Sequence, residues 1–219
     1  MTGKTHRKLS GKVVIATHNA GKLKEMRELL TPFSIEAVSA GELRLPVPPE
    51  TGFMFSQNAA LKAKAAADAS GLPALSDDSG LCIDVLDGAP GLFSADWAGE
   101  PRDFSRAMHL VQQELARRGL TCGPDIRAHF VSALILHWPD GHEELFEGRV
   151  FGHIVWPPRG EKGFGYDPIF QPDGKNRTFG ELLPEEKHGI DWNAQEPAGL
   201  SHRARAFLAL AKACLGSRL

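Results

Sequence analysis

At 219 residues, 42% hydrophobic and 24% charged, the chain has the size and composition of one globular domain with a substantial core. Its net charge of −2, with no block of like charge, argues against the clustered basic surface of a nucleic-acid binder. No stretch approaches the roughly 18 apolar residues of a membrane span, and the N-terminus carries no apolar leader core.

Three cysteines, Cys82, Cys122 and Cys214, lie far apart, a pattern that suits neither a disulfide framework nor a zinc finger. Together these features lead us to expect a cytoplasmic protein with no membrane and no nucleic-acid partner. Residues 1–11, with the short basic cluster Lys4-Thr5-His6-Arg7-Lys8, read as a flexible, solvated N-terminal tail. Residues 12–219 read as a single two-lobed domain.

The predicted elements begin with Val13-Val14-Ile15-Ala16, a short strand. It turns through Thr17-His18-Asn19-Ala20-Gly21-Lys22 into a helix with the apolar face Leu23, Met26, Leu29 and Leu30. Such a turn aims free backbone N–H groups at one point, as phosphate-holding loops do. Lys22 in the first helical turn opposes the helix dipole at a cost of about 0.3–1 kcal/mol, which a bound anion would reverse. The P-loop pattern itself is absent, because Ala16 stands five residues before Gly21 and Leu23 follows Lys22. The three-glycine dinucleotide fingerprint is absent too. On this segment alone, a phosphate cradle and an ordinary helix bearing a solvated lysine both stay open.

A proline-rich connection, Leu45 to Pro49, leads to Glu50 and then to an alanine-rich helix from Phe55 to Ser70, with Gly71 as C-cap. Leu81, Ile83 and Val85 alternate as a strand should, which places Ser76-Asp77-Asp78-Ser79-Gly80 just before it, at the strand edge. Adjacent carboxylates repel unless a cation sits between them. Mg²⁺ prefers hard oxygen ligands and uses one or two carboxylates plus substrate phosphates, which suits Asp78 with Glu50. The competing reading is an Asp-rich turn capping a strand, with Glu50 on the surface.

A helix from Asp103 to Arg118 follows, buried through Phe104, Ala107, Met108, Val111 and Leu115. Strands over 127–138 and 145–155 flank the turn signal Pro139-Asp140-Gly141 as a hairpin. In the glycine-rich loop that comes next, Phe164 or Tyr166 either stacks on a base or turns into the core. Lys187 offers another cation or an ordinary surface charge. The closing helix, Ser201 to Leu215, has Ser201 as N-cap and then His202 and Arg203 in its first turn, the clash already met at Lys22. Helices early and late around a hairpin predict an α/β fold, with a mixed central sheet flanked by helices.

Taken in order, THNAGK, ETGFMFSQNAALKAKAAA, SDDSGLCIDVLDGAPGLFSA, GFGYDPIF, EEK and SHRARA make the chain resemble the inosine triphosphate pyrophosphatase family, the dITP/XTP pyrophosphatases. The likeness runs from Val13 to about Leu210. It implies a two-lobed α/β homodimer with a substrate cleft between the lobes. The implied activity is Mg²⁺-dependent hydrolysis of deaminated purine nucleoside triphosphates (ITP, dITP, XTP) to the monophosphate and pyrophosphate. Carried over by position, Thr17, His18, Asn19, Ala20, Gly21 and Lys22 would cradle phosphates. Asp78 would accept a proton near a metal shared with Glu50, and Ser79 would touch substrate. Phe164, Gly165, Tyr166, Asp167, Lys187, His202 and Arg203 would enclose base and phosphates.

The segment 189–197 makes the spacing from Lys187 to Ser201 longer than the family's, and Asp96 stands where the family carries arginine. The rival readings are a pyrophosphatase for other modified nucleotides and a non-catalytic nucleotide-binding protein.

Overall fold

The computed structural model describes residues 5–215. Its elements, in chain order, are β1 (Lys12–Ile15), α1 (Ala20–Leu30), β2 (Glu36–Ser39), α2 (Phe55–Ser70), β3 (Ala74–Ile83) and α3 (Phe104–Arg117). The chain continues through β4 (Gly123–His137), β5 (Glu143–Ile154), β6 (Phe170–Pro172), α4 (Pro184–His188) and α5 (His202–Cys214). One six-stranded mixed sheet has the order β2-β1-β3-β4-β5-β6. β2, β1 and β3 run parallel, whereas β3, β4, β5 and β6 pair antiparallel. The expected mixed α/β architecture is therefore present, and β3 is the strand at which one pattern gives way to the other.

Strand alternation on β3 distributes the helices. Leu75 packs with α1 and α5 through Met26, Leu29, Phe207 and Leu210, and Leu81 and Ile83 pack with α3 through Ala107, Val111 and Leu115. The even-numbered positions face α2: Ala74 packs with Ala66 and Ala67, and Ser76 donates to the Ala59 carbonyl at 2.6 Å. Small residues on α2 let it lie close to the sheet, which explains why an alanine-rich segment is buried at Ala59, Ala63, Ala66 and Ala67. α1 and α2 thus cover opposite faces. The crevice between their connections at the carboxyl ends of β1 and β3 is a topological switch point, where ligands of open α/β sheets bind.

α5 crosses β5 closely, and Gly148 permits it. A Cβ there would clash with the His202 carbonyl oxygen and the Ala206 nitrogen. This contact seats the first turn of α5, with its two functional candidates, directly on the sheet.

Several boundaries differ from expectation. β3 begins at Ala74 and ends at Ile83, so Asp77 and Asp78 lie inside a buried strand rather than at its edge, and Val85 falls in a 3-10 turn. Ser76 and the two aspartates find partners on both faces, which offsets the cost of placing polar groups in the sheet. The short β2, β6 and α4 lack the length for a periodic signal. Of the expected flexible tail, residues 1–4 lie outside the described residues, but His6 to Leu9 are held. Arg7 pairs with Asp140, and the buried Leu9 donates its amide to the Cys214 carbonyl at 2.8 Å. Among the described residues no helix is long and apolar enough to cross a membrane.

Candidate functional site

A cavity of about 360 Å³ opens at the switch point, within the usual range for small-molecule sites. Its first wall is the turn between β1 and α1. The Thr17 hydroxyl accepts from the Asn19 amide at 3.1 Å, and Asn19 caps α1 by accepting from the Lys22 amide at 3.1 Å. These bonds fix the loop's curvature and leave the Lys22 side chain free to reach across to β3.

There Lys22 Nζ meets Asp77 Oδ2 at 2.9 Å. The same carboxylate takes Arg203 Nη2 at 3.0 Å, Ser132 Oγ at 2.5 Å and Ser79 Oγ at 3.2 Å. Burial opposes the Asp77 charge, but Arg203 and Lys22 outweigh it and hold the carboxyl well below the usual range. Arg203 is in turn gripped by Glu25 of α1. Burial lowers the Lys22 pKa although Asp77 pulls it upward, with Lys62 and Arg203 adding to the decrease. An incoming anion would relieve that strain on the ammonium.

Asp78 points the other way, towards α2. Its Oδ1 lies 2.9 Å from Lys62 Nζ, and the same nitrogen lies 2.9 Å from Glu50 Oε1. Burial raises the Asp78 pKa despite Lys62 and Lys22. Burial disfavours the Lys62 ammonium too, yet Asp78 and Glu50 together raise its pKa. Two carboxylates converging on one cation form a hard-oxygen donor pair, which fits Mg²⁺. The expected repulsion between neighbouring Asp77 and Asp78 does not arise, because alternation separates them and each has its own cation.

The far wall comes from the glycine-rich loop, α4 and α5. Phe164 lies over Gly21, where a Cβ would come within 2.8 Å of the ring. The buried Lys187 pairs with Asp167 at 2.9 Å, and Asp167 also accepts from the Phe164 amide at 3.1 Å. His202 stacks on Phe130 with ring centroids 4.9 Å apart. Burial, reinforced by Arg203, holds His202 well below its ordinary pKa, so its imidazole is neutral. Its Nδ1 is buried without a partner among the described residues. A buried orphan nitrogen on the first turn of a cavity-lining helix is a ready contact for a ligand.

Most sequence-expected residues line this one cavity: Thr17, His18, Asn19, Lys22 and Glu50, then Asp78 and Ser79. Phe164, Gly165, Tyr166, Asp167, Lys187, His202 and Arg203 complete the enclosure. Segment 189–197 leaves Lys187 on the cavity wall. Its Ile190 and Trp192 pack beside Phe33 and Phe207 instead. Ala20 and Gly21 do not line the cavity; Gly21 gives room to Phe164. Tyr166 lines the wall but is 2% exposed and donates its hydroxyl to the Ser94 carbonyl at 2.9 Å, a core anchor. Sequence reasoning missed Lys62, Glu25 and the anchoring role of Asp77. Lys62 was legible only as a helix residue, since nothing local announces a cation facing a strand sixteen residues later.

With the geometry in view, residues 13–213 match the model of the Ham1 family. The chain belongs to the Ham1 family. Among Ham1 relatives, a dITP/XTP pyrophosphatase of Bradyrhizobium sp. (strain BTAi1) is 60% identical, the match covering 98% of this chain and 99% of that protein. A second, from Rhodopseudomonas palustris, is 58% identical over 96% of this chain and 99% of its own length. A solved HAM1 protein structure from Coxiella burnetii is 36% identical and superposes with a TM-score of 0.80, covering 93% of this chain and 98% of that one.

Proposed function

We propose that this Ham1 chain is a dITP/XTP pyrophosphatase, converting deaminated purine nucleoside triphosphates and water to the monophosphate and pyrophosphate. The observation that carries this reading is a single cleft with a carboxylate-lysine-carboxylate cluster on one wall and Lys22, Lys187 and Arg203 on the others. The names of the Bradyrhizobium and Rhodopseudomonas relatives agree with it.

Phosphoryl-anhydride hydrolysis needs charge neutralisation, positioning and an oriented water, with little covalent work from the protein. Lys22 and the loop from Thr17 to Asn19 hold the phosphates. Asp78 accepts the proton of the attacking water. Asp78 and Glu50 would hold Mg²⁺, which supplies charge neutralisation at the phosphates when bound. Phe164 stacks on the base, and His202 and Lys187 address its edge. A 6-oxo purine presents a carbonyl acceptor where adenine presents an amino donor. Donors placed for the former leave buried polar groups unmatched with the latter.

A nucleotide panel tests the reading. ITP, dITP and XTP are expected to release pyrophosphate in the presence of Mg²⁺, with ATP and GTP turned over much more slowly. Orthophosphate as the product, equal turnover of all nucleotides, or full activity in excess chelator would overturn it.

The proposed assembly is a homodimer. Phe53 is 89% exposed, and Phe53, Met54, Leu92 and Val131 surround a shallow hollow on the β3–β4 face beside the cleft, whose wall shares Leu92. An apolar patch of this kind is characteristic of a protein interface. Cys82 and Cys122 form no disulfide, which suits a reducing, cytoplasmic setting.

A further inference from the structure

Away from the cleft, the two ends of the described chain meet. His6 Nδ1 lies 3.0 Å from Glu144 Oε2, and one ligand atom from each of His6, Glu144 and Cys214 lies within 4.8 Å of the others. His6 precedes β1, Glu144 is the second residue of β5, and Cys214 ends α5. The other Glu144 oxygen meets His142 Nε2 at 3.0 Å and accepts from the Arg7 amide at 3.3 Å. Glu144 is 1% exposed, and Trp138, Phe146, Leu9 and Leu215 belong to the surrounding core.

A hydrogen bond requires only the imidazole and the carboxylate. The thiol adds a weak hydrogen-bonding group but, once deprotonated, a strong soft ligand. Imidazole, thiolate and carboxylate together are the ligand set of zinc. We infer that His6 Nδ1, Glu144 Oε2 and Cys214 Sγ bind one Zn²⁺, with water in the fourth position on the more exposed His6 side.

Binding releases the thiol proton, and any proton on His6, to solvent. His142 holds the second carboxylate oxygen and so orients the first, as outer partners of metal ligands do. Zinc bonds of about 2.0–2.3 Å place ligand atoms roughly 3.3–3.7 Å apart, so the cluster closes by about 1 Å. The partly exposed His6 is free to make that adjustment. The ion would staple the N-terminal segment to the hairpin and to the end of α5. His6 and Cys214 both lie outside the 13–213 span that matches the family, so the staple is an addition to the shared core.

The test uses untagged full-length Asp78→Asn protein, so that the cleft carboxylates are weakened as a competing site. After chelator stripping, it is titrated with Co²⁺ and then Zn²⁺. A thiolate-to-cobalt charge-transfer band and one tightly held zinc per chain are expected. With zinc at 100 times its Kd, the melting temperature should rise by about 5–10 °C. Cys214→Ser should abolish the band, and His6→Ala should weaken zinc binding at least tenfold. Cys82→Ser and Cys122→Ser should leave both unchanged. No charge-transfer band, a band that survives Cys214→Ser, or equal zinc affinity in the parent and His6→Ala would overturn the inference. If Cys214→Ser fails to fold, His6→Ala decides, because that side chain contributes least to the core.

Discussion

At the scale of residues, Asp77 and Asp78 share a side-chain type and a strand but not a task. Asp77 sits among Lys22, Arg203, Ser79 and Ser132 with its hydrogen-bonding capacity taken up inside the protein. Asp78 faces the cavity, with Lys62 as its cation. Removing one partner from a buried ion network strands the others, at a cost of about 3–5 kcal/mol. Asp77→Asn should therefore lower the melting temperature by roughly 6–20 °C. Asp78→Asn should lower melting less, because Glu50 still pairs with Lys62, while reducing kcat by about 10²–10⁴-fold, the usual contribution of a general base. Calorimetry and pyrophosphate release on both variants separate the roles. The Asp-Asp pair was legible as chemistry from the sequence. Residue chemistry alone did not tell the two apart, because that depends on the strand's facing; only the family resemblance singled out Asp78.

Among the elements, the long periodic ones were legible and the short ones were not. α2 was expected from Phe55 to Ser70 and found there, ended by Gly71 in a left-handed conformation. The closing helix was also expected, and Leu210 is its buried leucine, because the first turn turns His202 and Arg203 inward. β2, β6 and α4 span only a few residues each and owe their form to neighbours rather than to propensity. The seat of α5 on β5 shows how one element carries function to another. Adding a methyl group at Gly148 should force the helix outward at a cost of about 1–3 kcal/mol. Gly148→Ala is thus expected to lower the melting temperature and raise KM for ITP, since His202 and Arg203 move with the helix. A stable variant with unchanged KM would show that α5 tolerates displacement.

For the molecule as a whole, the cleft gathers residues from β1 to α5, and its polar groups tie its stability to pH. His202 is held neutral by burial, with Arg203, Lys22 and Lys187 also opposing protonation and Asp77 favouring it. Below about pH 6.5 the unfolded chain binds a proton that folded His202 resists. Stability present above that pH is therefore lost as pH falls, by up to about 1.4 kcal/mol per unit from this group. The depressed pKa values of His129 and His153 act in the same direction. Melting temperature should drop between pH 7 and pH 5, and His202→Asn should show a shallower slope; equal slopes would remove His202 from that role. At this scale the sequence order of motifs located most of the cleft wall. It could not reveal Lys62 or Glu25, whose positions are meaningful only once helices are laid against the sheet.

The opposed facing of Asp77 and Asp78 also makes β3 a strand whose parity is functional. Asp77 pairs with Leu134 and Asp78 with Ala133 in an unbroken antiparallel register. A slip of one residue would exchange the buried anchor and the cavity-facing carboxylate between the two faces, leaving each opposite the other's cation. The sheet remains a sheet under that slip, yet the proposed proton acceptor no longer faces the cavity. A single residue added within β3 is therefore expected to cost more than one added in a loop such as 189–197, because only the former reverses the facing of the two aspartates.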